Sequence, residues 1–226
     1  MPPPLPTDFD TRYLPIDAAD LEVRAAANGA GATLVGYAVL WGQLSEDLGG
    51  FFERFESGAF LEVIGTDVCC LVDHDMGRIV GRTLAKTLRL QEDDRGLRYE
   101  VDLPDTSIAR DLAENIRLGN IRGSSFAFRV PPEGERIERI DGKLVRTVTK
   151  VVRLRDVGPT TFPAYANGSN VAVRSVEAYL EEESTRAAAA ALVATVEDLD
   201  LRRRLLALLE LDVDVVPTSP TRQTPS

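Results

Sequence analysis

The chain is patterned in two different ways, and the change near Ser175 sets the limits on what it can fold into. From about residue 18 to residue 174 the pattern is that of strands, with β-branched and aromatic residues alternating with polar ones. "ATLVGYAVLWG" is one such run, and "DVCCLVDH" is a shorter one. "RIVGRTLAKTLRLQEDDRGLRYEVDLP" reads as two strands joined at Asp93-Asp94-Arg95-Gly96, and "ERIERIDGKLVRTVTKVVRL" as a hairpin with Asp141-Gly142 at its tip. From Ser175, "VEAYLEEESTRAAAAALVATVEDLDLRRRLLALLEL" consists almost wholly of strong helix formers. An apolar stripe of Leu192, Val196, Leu199, Leu205, Leu206 and Leu209 runs along it, so one long helix or two are expected. That stripe suits either packing on the chain's own body or a docking or oligomerisation segment.

Within the strand-rich part, "DTSIARDLAENIRLGN" predicts a helix: Thr106 or Ser107 can cap it, Ile108, Leu112 and Ile116 share a face, and Gly119 can stop it. A shorter helix is expected at "SGAFLEVI", with Ser57 as its cap. The expected division is a flexible N-terminal arm at 1–17, rich in proline, a body at 18–174, a helical segment at 175–212 and a disordered tail at 213–226. A body of this length can bury a substantial core.

The formal net charge of −10 repels phosphate backbones, so nucleic acid is not an expected partner. No apolar run approaches the ~20 residues that span a bilayer, and none resembles a signal peptide, so no membrane is expected. The adjacent Cys69 and Cys70 cannot form an ordinary staple, which points to a reducing, cytosol-like compartment.

His74 is the only histidine. Zinc would need three or four converging ligands, and no second cysteine pair accompanies Cys69-Cys70, so no metal or cofactor is expected. A serine nucleophile would need His74 to accept its proton. In "LGNIRGSSFAFRV", Ser124 and Ser125 follow a Gly-rich turn at the mouth of a strand, where a serine Oγ would be exposed with free N–H groups nearby. A turn serine bonding its own backbone is the other reading of the same residues. To orient the imidazole the candidates are Asp73, Asp75 and the distant Asp156, which is also readable as a turn aspartate before Gly158-Pro159.

An ordered series of segments resembles the prohead (capsid maturation) proteases of tailed bacteriophages, relatives of herpesvirus assemblins. The series is "GYAVLWG", "FERFESGAF", "VDHDMGRIVGRT", "EDDRGLRYEVDLPDT", "IRLGNIRGSSFAFRV" and "RDVGPTTFPAYANGSNVAVRS", covering about residues 30 to 175. The resemblance implies an α+β fold: a mostly antiparallel, assemblin-like β-barrel core with flanking helices and a helical C-terminal extension. It implies a serine endopeptidase with His74 and Ser125 catalytic, Asp156 as third member, and oxyanion donors among the N–H groups around Gly123 to Phe126, aided by an arginine. Gly158 stands where the family often has serine, and Ala127 where glycine is common. The implied substrates are scaffold, the scaffolding segment of the major capsid protein and the protease itself, inside the immature capsid (prohead) in the bacterial host cytoplasm. A homo-oligomer is compatible with the helical extension. The alternative is a capsid assembly or scaffolding factor with the protease fold and little or no proteolytic activity.

Overall fold

Three open sheets, arranged by the strand alternation of the first 174 residues, carry the fold. The computed structural model describes residues 9–14, 16–25, 31–161 and 170–211. In chain order these form β1 (Asp10–Leu14), a helical turn α1 (Ile16–Ala19), β2 (Glu22–Ala25), β3 (Ala32–Leu40), β4 (Phe52–Phe55), β5 (Cys69–Leu71), β6 (Ile79–Arg82), β7 (Leu88–Glu92) and β8 (Gly96–Leu103). Then follow α2 (Ser107–Arg117), β9 (Gly123–Arg129), β10 (Glu135–Ile140), β11 (Lys143–Val148), β12 (Arg153–Thr160), α3 (Asn170–Ala194) and α4 (Leu199–Leu211). The chain divides into two compact units, Met1–Arg174 and Ser175–Ser226.

The sheets have the orders β1-β9-β12-β5-β6, β2-β3-β8-β7 and β10-β11-β4. Pairing is mostly antiparallel, the exceptions being β12 with β5 and β11 with β4. The fold is therefore α+β, but none of the sheets closes into the expected barrel. A barrel needs every edge strand hydrogen-bonded to a neighbour. Here the only isolated β-bridge among the described residues pairs Trp41 with Phe55. The sheets lie against one another, with β3 near β1 and β9, and β6 near β7 and β8.

Two hairpins form where turn chemistry predicts them, at Asp93–Gly96 and Asp141-Gly142. Helix α2 starts at Thr106, whose side chain accepts from the Ala109 N–H, and buries Ala109, Leu112, Ala113 and Ile116. The expected short helix at residues 57–64 is instead a run of turns. Gly58 has a left-handed φ of 93°, which an α-helix does not carry, and the Glu92 carboxylate accepts from the N–H groups of Gly58 and Phe60, both at 2.7 Å, in the turn that results. Residues 10–14 of the expected flexible arm form β1, paired along β9 from Asp10↔Phe128 to Leu14↔Ser124. The helical extension is two helices, and the Asp198 side chain accepts from the N–H groups of Asp200 and Leu201 at the start of the second. The expected tail at 213–226 lies outside the described residues.

The core is aromatic where it supports β9. Phe126 and Phe128 lie two apart and so share a face; their rings stack at 5.0 Å, and Phe55 meets both edge-on at 5.4 and 5.2 Å. Beside this core lies a buried charge network. Glu53 accepts from Arg12 at 2.7 and 2.9 Å and from Arg146, which also bonds Glu135. Asp10 lies 3.6 Å from Arg146. Burial pushes the Glu53 carboxyl up, but the Arg12 and Arg146 guanidinia outweigh it and hold it below the usual range. Glu53→Gln leaves two guanidinia short of a buried partner and is expected to cost about 3–5 kcal/mol, read by denaturant unfolding. A folded-state value below the unfolded one means that the contribution is present above about pH 4.3, the unfolded value, and is lost as pH falls through the folded one. The Gln variant should therefore show a flatter acid limb than wild type; an equal limb would remove Glu53 as its source.

Candidate active site

Strand alternation separates the two serines of β9. Ser124 shares the core face with Phe126, and its Oγ lies 3.1 Å from the buried Tyr99 hydroxyl. Ser125 points to the other face, where its Oγ is 2.5 Å from His74 Nε2. Across the ring, His74 Nδ1 is 2.5 Å from Asp156 Oδ1. The three side chains form one hydrogen-bonded line, assembled from β9, β12 and the loop after β5.

The sheet order makes this meeting possible. Strand β12 lies between β9 and β5, with Asp156 paired to Ala127 on one side and Cys69 on the other. Chain segments that are far apart in sequence thus reach the same end of one sheet. Gly158 pairs with Ser125, and a Cβ there would stand 2.0 Å from the Leu71 carbonyl oxygen. A serine at this position does not fit this backbone, which accounts for the departure at Gly158.

His74 and its neighbour Asp73 both have left-handed backbones, with φ of 59° and 54°. Non-glycine residues hold this conformation at a cost of order 1–3 kcal/mol each, and only when their surroundings impose it. Asp73 supplies the constraint. Its N–H donates to the Pro159 carbonyl, and its carboxylate accepts from Thr160 Oγ1, the Thr161 N–H and hydroxyl, and Arg78. Asp73 therefore ties the His74 loop to the end of β12 and does not touch the ring. Asp75 accepts from the Gly77 N–H and shapes the same loop.

Asp156 is buried, with a 1% exposed side chain, and its second oxygen accepts from Arg155 Nε at 2.7 Å. Adjacent residues on a regular strand point to opposite faces. The register shift between Leu154 and Asp156 breaks that rule, and Arg155 turns onto its neighbour. Neither this contact nor the role of Asp73 was visible in the sequence, because both depend on irregular backbone. A bulge next to an expected site aspartate leaves no mark in residue type.

Two expectations about Ser125 fail. It lies within a central strand and is 5% exposed, not at an open strand mouth. The stretch Ser124 to Phe126 is not an open edge either, because it pairs with β1 on one side and β12 on the other. Among the described residues, no group of three His, Cys, Asp or Glu side chains is placed to hold a metal ion. Cys69 and Cys70 are free thiols, and burial pushes the Cys70 thiol well up.

A family model described as caudovirus prohead serine protease matches residues 19–182. The chain belongs to the caudovirus prohead serine protease family. Membership places it among capsid-related serine proteases of phage proheads. No curated protein and no solved structure matches the chain. The family region takes in β2 to β12 and starts after β1. The Pro163-Ala164-Tyr165 segment expected as a family motif lies outside the described residues. Among the described residues no helix is long and apolar enough to cross a membrane.

Proposed function

We propose that the chain is a serine endopeptidase of prohead maturation, with Ser125 as nucleophile, His74 as general base and acid, and Asp156 as the group that orients the imidazole. The observation that carries this reading is the continuous line from Asp156 through His74 to Ser125. Its members come from three separate segments of a chain in this family. Ser125 Oγ attacks the peptide carbonyl carbon while His74 Nε2 takes the hydroxyl proton. The tetrahedral intermediate collapses, the C–N bond breaks, and His74 returns the proton to the leaving amine. Water, losing a proton to His74, then attacks the acyl-enzyme, and Ser125 leaves with that proton. Asp156, bonded to Arg155 through its other oxygen, holds Nδ1–H and so leaves Nε2 free to accept.

The substrates in this reading are scaffold, the scaffolding segment of the major capsid protein, and the chain itself, inside the prohead in the bacterial host. Co-expression with the neighbouring capsid protein, followed by mass spectrometry of the new termini, tests it. Discrete fragments that require Ser125 are expected; a capsid protein and a chain that both stay intact would favour an assembly factor with a protease fold.

The C-terminal helices are assigned here to docking or self-association rather than to catalysis. Leu192 and Leu199 are each 71% exposed and Leu208 60%, more apolar surface than a helix pair for water alone needs. Leu192→Glu with Leu199→Glu is expected to lower the solution mass by light scattering and leave the melting temperature unchanged. A drop in melting temperature with no change of mass would make the stripe part of the protein's own core.

A further inference from the structure

Ser125 Oγ has a second neighbour besides His74: it donates to the main-chain carbonyl of Arg12 at 2.9 Å. A hydroxyl carries one proton. While that proton is given to Arg12, it is not available to His74 Nε2. The carbonyl belongs to β1, which runs antiparallel along β9 with Tyr13 opposite Ser125 and Arg12 opposite Phe126. A backbone carbonyl of an extended chain thus rests on the serine assigned as nucleophile.

Strand β1 is seated there by specific contacts. The Tyr13 ring lies directly on Gly123, where a Cβ would come within 2.2 Å of it. Arg12 is bidentate on buried Glu53. Just before β1, the Phe9 ring lies under Arg129 at 4.1 Å and Arg155 at 5.0 Å, and Arg155 is the residue bonded to Asp156. The seat is nevertheless a compromise. Both carboxylate oxygens of Asp10 are buried without a hydrogen-bond partner, which is uncommon for such a group. Asp10 and Arg12 bring one acid and one base into the charge network, so lifting β1 out leaves the network's net charge unchanged and Glu53 still paired with Arg146.

An extended peptide is recognised by a sheet edge through main-chain hydrogen bonds. With β1 in place, β9 has no free edge beside Ser125, since Ser124 to Phe126 pair with β1 on one side and β12 on the other. With β1 gone, β9 becomes the edge strand, and its N–H groups on that side open next to Ser125. Strand β1 also lies before the family region, which starts at residue 19.

We propose that β1 is an autoinhibitory strap: it fills the strand position along β9 that an extended peptide substrate takes, and the protease cleaves only when β1 is displaced. This rests on the assignment of Ser125 as the nucleophile. The test locks β1 in the full-length chain with Thr11→Cys and Ala127→Cys, residues directly opposite in the ladder, and uses co-expressed capsid precursor as substrate. The oxidised variant is expected to lose cleavage and to regain it on reduction, while wild type, treated in the same way, does not respond. Arg12→Met, which loosens the strap, is expected to cleave several-fold faster than wild type. Equal rates for the oxidised and reduced forms of the double-cysteine variant would overturn the strap, even if Arg12→Met fails to fold. Absence of cleavage by wild type, by the reduced double-cysteine variant and by Arg12→Met alike would overturn the protease assignment, and the strap with it.

Discussion

Ser125→Ala is expected to abolish cleavage of the capsid precursor and leave the fold intact, with a fall in kcat on the order of 10⁶, as when a serine protease loses its nucleophile. The side chain removed is one hydroxyl on the site face of β9, and its contacts are His74 Nε2 and the Arg12 carbonyl. No core aromatic depends on it, since Phe126 and Phe128 point the other way. Ser124→Ala is the matched control. It removes a hydroxyl that meets Tyr99 in the core, so it should cost about 1 kcal/mol of stability and retain most of the activity. Mass spectrometry of capsid protein termini and thermal unfolding of both variants separate these outcomes. An inactive Ser124 variant beside an active Ser125 variant would move the nucleophile by one residue and turn the strand face over.

Asp156→Asn is expected to lower kcat about 10⁴-fold, the loss seen when the buried acid of a Ser-His-Asp array becomes an amide. Arg155 gives the reason in this site. Its Nε donates to Asp156 Oδ2 and needs an acceptor there. The introduced amide must therefore keep its oxygen toward Arg155 and turn its NH₂ toward His74 Nδ1. That stabilises the tautomer with the proton on Nε2, which cannot accept from Ser125. Arg155→Gln weakens this preference, so the double variant should recover part of the activity lost in Asp156→Asn. Single-turnover rates of the four proteins measure the coupling. Activity of Asp156→Asn within a few-fold of wild type would take the orienting role away from Asp156.

The legible parts of the fold were those decided within a few residues of chain. Asp141-Gly142 and Asp93–Gly96 turn as their residues require, and Thr106 caps α2 through its own side chain. The Phe126-Ala127-Phe128 alternation is equally local, because a strand has a period of two. Residues 57–64 form turns rather than the expected helix for the converse reason: Gly58 adopts a left-handed φ of 93°, and its N–H and that of Phe60 are anchored on the Glu92 carboxylate, more than thirty residues away.

Composition and order determined the kinds of parts: a strand-rich body, a helical extension, and one histidine with distant serine and aspartate candidates. The tertiary structure alone decided how they meet. It placed β12 between β9 and β5, so that Asp156 and Ser125 flank the single imidazole. It bulged β12 so that Arg155 reaches Asp156, and held Asp73 and His74 in left-handed backbone through contacts with Thr160 and Thr161. It also laid β1 against Ser125, turning an expected arm into a strand. Each of these depends on ladder pairing between segments far apart in the chain. Residue type sets the propensity of a strand, and the partner that completes its hydrogen bonds is chosen by the fold as a whole.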